Sequence, residues 1–599
     1  MSKIQADPGK HEKAPASRSH EEDRTKELPL SILTEIVQGR LPKQLLTAWP
    51  EMESEESEML DVLLDALDKF LDKHVDPIAI DREARIPESV LDECKELGLF
   101  GLIIPEEHGG LGLGSTAYTR VLQRIGIACA SLATTIGAHS SIGLKALLLF
   151  GNEKQKKRWL PDLAVGERIA AFCLTEPNAG SDAGSIQCKA TPDGDGGWIL
   201  DGTKSWITNG GIGGLYTVFA RTPAPEGWPE KKPHLACFIV EREQEGLSIG
   251  VEEDKLGLKG SSTTEVRLEQ VRVSDEQRLG TDGEGFSMAL EVLNSGRLGL
   301  AGGCAGTTRD LLEKARVQAS ERTQFGRPIA SFGLIQQKLG TMAVELYGME
   351  SLVFLMTGLV DRRARGEVQC ATFLEAAAAK IYCTERLWDS CHESLQIAGG
   401  NGFMREYPYE RRLRDARVNM IFEGTNEILR LMVALHCLEP LGKEIKRAIK
   451  GIKKPSRFLP SLGTLLKFQL GSVGHYSCPI QGDDPDLLAS WERVDATLRA
   501  FPIAARTLLL RHGKKIFEEQ EDLALLADLA QQVLVSLASF LRCYVRGKPS
   551  SMETELCSET LRRKQAQAQD LGRRIGHSSP KAHRSLVDRM QAGETCPTL

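Results

Sequence analysis

Two short apolar runs decide how this chain folds: LYTVFA at residues 215–220 and ACFIV at residues 236–240. A third run, GWIL at residues 197–200, precedes them, and Gly, Asp and Pro residues cut the chain between the three. Short β-rich runs separated by turn residues are typical of a compact β-domain. We therefore predict a middle β-domain at residues 171–283.

The segments on both sides of this region have a helical pattern. The stretch MLDVLLDALDKFL at residues 59–71 repeats apolar residues at helical spacing, and residues 284–440 contain long stretches rich in Ala, Leu, Met and Glu. We predict an N-terminal helical domain at residues 55–170 and a second helical domain at residues 284–440. The fold class is mainly α with a central β-domain.

Three further regions complete the predicted organisation. Residues 1–54 form a disordered or partly ordered N-terminal segment, and residues 484–599 an extra helical domain. Residues 441–483 form a basic amphipathic linker, in which seven Lys and Arg side chains lie between 443 and 457 and an apolar stretch follows up to 470. Such a segment can lie on an anionic membrane surface, and it is equally typical of a solvated linker.

Composition excludes several classes of protein. A formal net charge of −7 over 599 residues argues against a dedicated nucleic-acid-binding protein. The fourteen cysteines form no CxxC pair, and no His cluster has metal-ligand spacing, so we predict no metal site and a reducing compartment. No apolar run approaches eighteen residues, and the N-terminus lacks the apolar core of a signal peptide. We expect a cytoplasmic protein, either free or peripheral at the inner face of a membrane.

Two glycine-rich segments are poor candidates for nucleotide loops. GGLGLG at residues 109–114 has the wrong spacing for a dinucleotide fingerprint and no following βαβ unit. In KSWITNGG at residues 204–211 the lysine precedes the glycines, which is the reverse of a P-loop. A serine nucleophile elbow is also absent from the sequence.

An acidic motif, IFEGTNE at residues 421–427, gives the first indication of chemistry. Glu423 lies between a bulky apolar residue and a glycine, and a carboxylate that loses water in such surroundings becomes a stronger base. The structural alternative is a helix N-terminus, with Thr425 or Asn426 as the cap and Glu427 in the first turn. On spacing alone the alternative is the better supported of the two.

Two longer motifs carry a family resemblance. FCLTEPNAGSD at residues 172–182, and QIAGGNGF at 396–403 followed by YPYER at 407–411, resemble the two signatures of the acyl-CoA dehydrogenases. WITNG at 206–210, ERTQFG at 321–326 and the acidic motif follow in family order, and the resemblance covers residues 55–440. The long C-terminal region and NSGR at 294–297 resemble the branch that contains the very-long-chain enzyme and family member nine.

The resemblance implies a fold and a cofactor. The fold is an N-terminal helical domain, a middle β-barrel-like domain, a C-terminal four-helix bundle and an extra C-terminal helical domain, in a homodimer. FAD lies between the β-domain and the bundle. Thr175, Ser181, Trp206 and Thr208 are expected on its isoalloxazine and ribityl side; Arg322, Gln324, Gln396, Gly399 and Gly400, from a neighbouring subunit, on its pyrophosphate and adenosine half; and Phe172, Thr425 and Glu427 elsewhere in the site.

The resemblance also implies the reaction. Glu423 is the base that takes the α-proton of an acyl-CoA, and its backbone N–H, with a flavin hydroxyl, polarises the thioester carbonyl. The β-hydrogen passes to the flavin, which gives trans-2-enoyl-CoA, and an electron-transferring flavoprotein accepts the electrons. Other branches carry the base just before the arginine that corresponds to Arg297, where this chain has Gly296. Substrate contacts are expected from Ser181, Asn294, Arg297, Glu423 and Gly424.

Small residues in TTIGAHS at residues 134–140 favour a deep acyl pocket, and hence a long-chain substrate in fatty acid β-oxidation. Two alternatives remain open. One is a scaffold, because family member nine is associated with assembly of respiratory complex I. The other is an acyl-CoA oxidase, in which oxygen reoxidises the flavin.

Overall fold

The computed structural model describes residues 30–46, 49–230, 232–470, 473–546, 549–577, 587–588 and 590–591. The prediction of disorder for residues 1–29 lies outside the described residues. The described helices are α1 (Ile32–Val37), α2 (Lys43–Leu46), α3 (Ser54–His74), α4 (Pro77–Glu83), α5 (Glu88–Glu96), α6 (Ser115–Ala128), α7 (Ala130–Ala138), α8 (Lys145–Phe150), α9 (Glu153–Ala164), α10 (Gly285–Glu321), α11 (Gly333–Ala364), α12 (Phe373–Ala398), α13 (Gly400–Phe403), α14 (Pro408–Arg417), α15 (Asn426–Ile452), α16 (Phe458–Leu470), α17 (Pro485–His512), α18 (Gln520–Val545) and α19 (Ser551–His577).

The described strands are β1 (Ala170–Cys173), β2 (Lys189–Pro192), β3 (Gly197–Thr208), β4 (Leu215–Arg221), β5 (Leu235–Glu241), β6 (Leu247–Ile249), β7 (Thr263–Ser274), β8 (Arg278–Leu279), β9 (Thr323–Gln324) and β10 (Arg327–Pro328). The first eight form one sheet with the order β6-β7-β3-β2-β4-β5-β8, and β1 pairs with β4.

The apolar runs at residues 215–220 and 236–240 become β4 and β5, two buried strands of this sheet. They pair antiparallel, with Leu215 opposite Glu241. All but the last residue of each strand is buried, which explains why both read as continuous apolar runs. β7 instead alternates between buried and exposed residues for most of its length, because one of its faces meets solvent.

The N-terminal segment is partly ordered where the structure describes it. Ser31 caps α1, and its hydroxyl donates to the buried Glu375 carboxylate at 2.7 Å. The Leu33 N–H donates to the same carboxylate at 3.0 Å. Because α1 also buries apolar side chains against the helical core, residues 30–46 are packed onto the protein.

The helices that follow the β-domain share one hydrophobic core with the extra C-terminal helices. Buried residues of α10, α11, α12 and α15 form one continuous cluster with those of α17, α18 and α19. A buried network joins the two parts: Lys564 of α19 donates to Glu345 of α11, and Tyr382 of α12 donates to the same carboxylate. The predicted fold class, with helical domains on both sides of a β-domain and extra C-terminal helices, is confirmed.

The basic region predicted as a linker is helical over much of its length. α15 continues through the charged residues to Ile452, and α16 follows from Phe458. Leu459 at the start of α16 is 76% exposed. The basic and apolar residues of this region therefore lie on successive helices at the protein surface.

By length and composition, three helical stretches of the described residues could cross a membrane: Ala130–Phe150, Gly333–Ala364 and Gln520–Val545. Isolated polar residues interrupt each stretch, so none of them is an unbroken apolar run in the sequence. The protein itself buries 83% of the most apolar window in the second stretch and 89% in the third. These two helices supply much of the helical core.

Candidate active site

The acidic motif forms a strained turn just before α15. Glu423 has a φ of +57°, in the left-handed region that non-glycine residues seldom adopt, and Gly424 follows with a φ of +91°. Thr425 then caps α15, because its hydroxyl accepts the Ile428 N–H. The helix-cap interpretation of this motif is therefore correct for Thr425, while Glu423 lies outside the helix.

Two buried cations hold the turn by its backbone. Arg297 of α10 donates through Nε to the Glu423 carbonyl at 3.2 Å, and its guanidinium also bonds Asn294 at 2.6 Å. Lys380 of α12 donates to the Gly424 carbonyl at 2.9 Å and to the Asn426 side chain at 2.8 Å. A left-handed residue persists when its surroundings fix it, and these contacts supply that constraint.

The Glu423 carboxylate is buried and poorly satisfied. Its Oε2 is shielded from solvent and accepts no hydrogen bond from the described residues. Burial raises the pKa of Glu423 to about 7, and the positive charges of Arg297 and Lys380 limit that rise. A carboxyl group that titrates near neutral pH is suited to accept a proton from carbon.

Gly296 makes room for this carboxylate. A Cβ built at Gly296 would lie 3.0 Å from Glu423 Oε2 and 3.2 Å from Ile142. A side chain at residue 296 would therefore press on the carboxylate. The two positions for a base that the sequence analysis considered converge on one place, and in this chain Glu423 occupies it.

Glu423 forms one wall of an elongated cavity between α6, α7, α10, α12 and α14. The volume of this cavity is about 140 Å³. Glycine and alanine supply much of the lining. The small residues are Gly126, Ala130, Ala133, Gly137, Ala138, Gly296, Gly299, Gly303 and Ala416.

The end of β3 brings together several residues predicted to contact FAD. A register shift between Lys204 and Ile207 interrupts its pairing with β7. There Trp206 adopts a φ of +56° and is 60% exposed. A bulge of this kind turns a side chain out of the sheet. Thr208 lines the same cavity as Glu423, and the Ser205 N–H donates to the Thr175 carbonyl at 2.9 Å.

The remaining predicted residues on this side differ in exposure. Phe172 packs against Phe219, with ring centroids 5.1 Å apart, as part of the domain core. Ser181 is exposed on the loop after β1, and Glu427 is exposed in the first turn of α15. Thr425 uses its hydroxyl as a helix cap.

A second group lies at the far end of α10 and α12. Arg322 and Gln324 belong to the β9–β10 hairpin and are exposed, as are Gln396, Gly399 and Gly400 at the end of α12. Ile397 packs with Ala319 and Ile329 and so holds the two ends together. No hydrogen bond between described residues joins this group to the end of β3. Thr307 of α10 lines the cavity, and Arg322 at the end of this helix lies about 22 Å further along it, so the two groups are separate surfaces of one chain.

Both groups have the chemistry to hold FAD. A Cβ built at Gly180, Gly399 or Gly400 would meet no protein atom within 4 Å, so a ligand can approach these backbones closely. Exposed Arg322 can pair with phosphate oxygens, and the Thr208 hydroxyl can bond a ring heteroatom. The residues present therefore fit a flavin dinucleotide.

Sequence reasoning missed several residues of the site. Lys380 is a fully buried lysine in the run EAAAAKIY, and a lone charge in an apolar helix was the signal that could have found it. Arg412 and Asn419 also line the cavity, but they lie between the motif that ends at residue 411 and the acidic motif, and neither motif includes them.

Comparison with known proteins shows which family the chain resembles. Family models for the acyl-CoA dehydrogenase N-terminal, middle and C-terminal domains match residues 54–167, 171–271 and 283–438. The mitochondrial very long-chain specific acyl-CoA dehydrogenase of Homo sapiens is 39% identical over 87% of this chain and 80% of its own length.

Solved structures agree. An acyl-CoA dehydrogenase complexed with FAD from Bacillus anthracis is 30% identical, with a TM-score of 0.75 over 93% of this chain and 94% of that chain. A chain from a structure of the electron transferring flavoprotein of Acidaminococcus fermentans is 31% identical, with a TM-score of 0.59 over 64% and 98%. The predicted resemblance is confirmed: this chain belongs to the acyl-CoA dehydrogenase family and is an FAD-dependent oxidoreductase.

Proposed function

We propose that this protein oxidises long-chain acyl-CoA to trans-2-enoyl-CoA in fatty acid β-oxidation. The observation that carries the proposal is the Glu423 carboxylate, which is buried at the cavity wall with an unpartnered oxygen. A proton on the carbon next to a thioester is only weakly acidic. Its removal needs a base that is poorly solvated and a polarised carbonyl oxygen.

Glu423 supplies the base. Its pKa of about 7 means that the carboxylate is available at neutral pH and binds a proton more readily than an ordinary glutamate does. Lys380 and Arg297 direct their hydrogen bonds to backbone carbonyls of the turn. They therefore fix the position of the carboxylate without neutralising it by direct pairing.

The same turn offers a donor for the thioester. The Glu423 N–H donates no hydrogen bond to any described residue, so it is available to a substrate carbonyl oxygen. An N–H aimed at that oxygen stabilises the charge that develops as the α-proton leaves. Ser181, Asn294, Arg297 and Gly424 are the other proposed substrate contacts, and Asn294 acts by orienting Arg297.

When bound, FAD accepts the β-hydrogen together with its electron pair. We assign Phe172, Thr175, Ser181, Trp206, Thr208, Thr425 and Glu427 to the flavin half of its site. Arg322, Gln324, Gln396, Gly399 and Gly400 form the pyrophosphate and adenosine half, which a second subunit would complete in a homodimer. The separation of the two groups in one chain supports this arrangement.

The long-chain preference follows from the lining of the cavity. Along α10 the wall runs from Gly296 past Gly299 to Gly303 and Thr307. The eleven helical steps from residue 296 to residue 307 correspond to about 16 Å. A Cβ at Gly303 would meet no protein atom within 4 Å, so the glycine leaves the middle of this wall open.

Anaerobic titration of the yellow holoenzyme with acyl-CoA thioesters of increasing length tests the proposal. We expect prompt bleaching of the flavin band with hexadecanoyl-CoA and slower bleaching with butanoyl-CoA. Absence of bleaching at every chain length would overturn the proposal and favour the scaffold alternative. A preference for the short chain would retain the reaction and overturn the substrate class.

The electron acceptor separates a dehydrogenase from an oxidase. We propose an electron-transferring flavoprotein, since a solved relative comes from a structure of one. Turnover should then depend on added electron-transferring flavoprotein. Stoichiometric peroxide release under air would instead identify an acyl-CoA oxidase.

The exposed Phe458 and Leu459 at the start of α16 adjoin the basic end of α15, which favours peripheral membrane contact through residues 443–470. Co-sedimentation with anionic vesicles should fall in a Leu459→Ser variant and in high salt.

For the cellular location, we propose a reducing compartment, either the cytoplasm or the mitochondrion named for the human relative. The buried thiols fit both.

A further inference from the structure

The cavity has a polar side that the proposed reaction does not use. Arg412 and Asp415 of α14 line it, and so does Asn419 just beyond that helix. Residues at these spacings lie along one face of a helix. The rest of the lining is mainly apolar or made of small residues, so these three polar side chains stand in contrast to it.

This polar group lies far from Glu423. Arg412 donates to the Gly126 carbonyl at 2.7 Å, and a Cβ at Gly126 would lie 3.9 Å from the Thr307 hydroxyl. Asn419 in turn lies 3.8 Å from the sulfur of Cys304. Glu423 adjoins Gly296, and Cys304 and Thr307 are two to three turns further along α10, which is about 12–16 Å. The polar group therefore marks the deep end, where the last carbons of an acyl chain would lie.

Arg412 has a donor left over. Its two terminal nitrogens donate to the carbonyls of Gly126 and Ile127, and one lies 3.4 Å from Asp310. Its Nε is buried, and among the described residues it has no hydrogen-bond partner. The side chain is only 4% exposed, so bulk water does not satisfy this N–H. A buried N–H without a partner is costly, and an acceptor within the cavity would remove that cost.

We propose that the preferred substrate is a long-chain acyl-CoA whose distal end carries a hydroxyl group, held by Arg412, Asp415 and Asn419. This inference rests on the proposed function and narrows its substrate class. The hydroxyl oxygen accepts the Arg412 Nε–H, and its proton is donated to the Asp415 carboxylate. Asp415 already accepts the Leu258 N–H through Oδ1, which leaves Oδ2 for the substrate.

The hydrogen-bonding groups at the deep end match a hydroxyl better than a carboxylate. Arg412 lies 3.4 Å from Asp310, which also pairs with Lys314, and Asp415 is the acid of the lining on this side. A substrate carboxylate could accept the Arg412 N–H, but it has no proton to donate to Asp415. A hydroxyl is neutral and can both accept and donate, which matches one free donor beside one free acceptor.

A purely structural role is the competing explanation, because Arg412 also bonds the last carbonyls of α6. That role predicts no discrimination between substrates. The Glu423→Gln holoenzyme allows binding to be measured without turnover. We would compare dissociation constants for hexadecanoyl-CoA, 16-hydroxyhexadecanoyl-CoA and the corresponding ω-carboxyl thioester, together with their dodecanoyl and eicosanoyl homologues.

At the best-fitting length, we expect the ω-hydroxyl thioester to bind at least about tenfold more tightly than the plain chain, since a site built to bond a hydroxyl rejects the analogue that lacks it. The ω-carboxyl thioester should bind more weakly than the ω-hydroxyl one. Equal or weaker binding of the hydroxyl chain at every length would overturn the proposal, and so would preference for the carboxyl chain.

Substitutions test which residues cause the preference for the hydroxylated chain. In an otherwise parent background, Arg412→Met and Asn419→Leu should bring the ratio of kcat/KM between hydroxylated and plain chains close to one. Arg417→Met, which removes an exposed arginine of the same helix, should leave the ratio unchanged. Asn419→Leu keeps the test open if Arg412→Met fails to fold. An unchanged ratio in Asn419→Leu would overturn the assignment.

The two proposals fail in different ways. If the parent holoenzyme bleaches with hexadecanoyl-CoA but shows no preference for the hydroxylated chain, the inference fails and the dehydrogenase function stands. If no thioester bleaches the flavin, the proposed function fails. The binding comparison then still reports on whether the deep end recognises a hydroxyl.

Discussion

Two glutamates of this protein are buried in different regions and behave in opposite ways. Glu345 lies between the bundle and the extra C-terminal helices, where its carboxylate accepts from Lys564 at 2.9 and 3.0 Å and from Tyr382 at 2.5 Å. Glu423 lies at the cavity wall, and its Oε2 accepts from no described residue. One carboxylate is fully partnered and the other is left reactive.

The pKa values show what the partners do. Burial acts to raise the pKa of Glu345, but the charges of Lys564 and Arg386 and the Tyr382 hydroxyl hold it below its ordinary value. Burial raises the pKa of Glu423 to about 7, because Arg297 and Lys380 act on it only through their charge. Burial alone thus does not make a base; burial without a direct partner does.

The largest expected effect comes from exchanging the two glutamates for glutamine one at a time. Glu423→Gln should slow flavin reduction by roughly a thousandfold, the scale of a lost general base. Its Tm should not fall, because a neutral amide replaces an unpartnered buried acid. Glu345→Gln should keep the rate and lower the Tm. Stopped-flow measurement of flavin reduction gives the rates, and calorimetry gives the Tm values. Equal rate losses in the two variants would contradict the prediction that only Glu423 acts as the base.

The next effect tests whether the buried pair binds the extra helices to the bundle. Lys564→Met leaves Glu345 buried without its cation and should cost about 3 kcal/mol of stability. The double variant Glu345→Leu with Lys564→Met removes both charges and should recover much of that loss. Denaturation monitored by tryptophan fluorescence measures both. A double variant less stable than Lys564→Met would show that the pair is not the source of the effect.

Much of the fold could be predicted from the sequence, because the hydrophobic period changes at the domain boundaries. β4 and β5 read as buried strands, since both of their faces are covered. The membrane-length apolar stretches within α11 and α18 escaped notice, because isolated polar residues such as Glu345 interrupt them. Glu345 finds its cation, Lys564, only in a distant part of the chain.

The site was predicted unevenly for a similar reason. Glu423 could be found because its short motif belongs to a set of motifs that resemble one family, although its neighbours Phe422 and Gly424 alone favoured a helix cap. Lys380 could not be placed because it bonds the turn across 44 residues of the chain, and Arg412 because the carbonyl that it bonds, that of Gly126, lies 286 residues away. Local motifs reveal a reactive group, whereas the residues that hold it in place emerge only from the packing of helices.

The smallest expected effect concerns how the reaction rate depends on pH, which is set by Glu423 and adjusted by the charge of Lys380. Glu423 acts as a base when deprotonated, so the rate of flavin reduction should rise about tenfold per pH unit up to about pH 7 and then level off. Because the folded-state pKa of Glu423 is raised above its ordinary value of 4.5, the matching contribution to stability is present below pH 4.5 and is lost as the pH rises through 7.

Lys380→Met removes a positive charge that lowers the pKa of Glu423, so the midpoint of the rate profile should move to higher pH. The limiting rate at high pH should also fall, by about tenfold, because the turn loses the contact at the Gly424 carbonyl. Glu345→Gln is the matched control and should leave the midpoint in place. A midpoint that stays fixed or moves to lower pH in Lys380→Met would mean that the lysine acts on the turn through packing alone, and the contrast between a partnered and an unpartnered glutamate would then rest on Arg297.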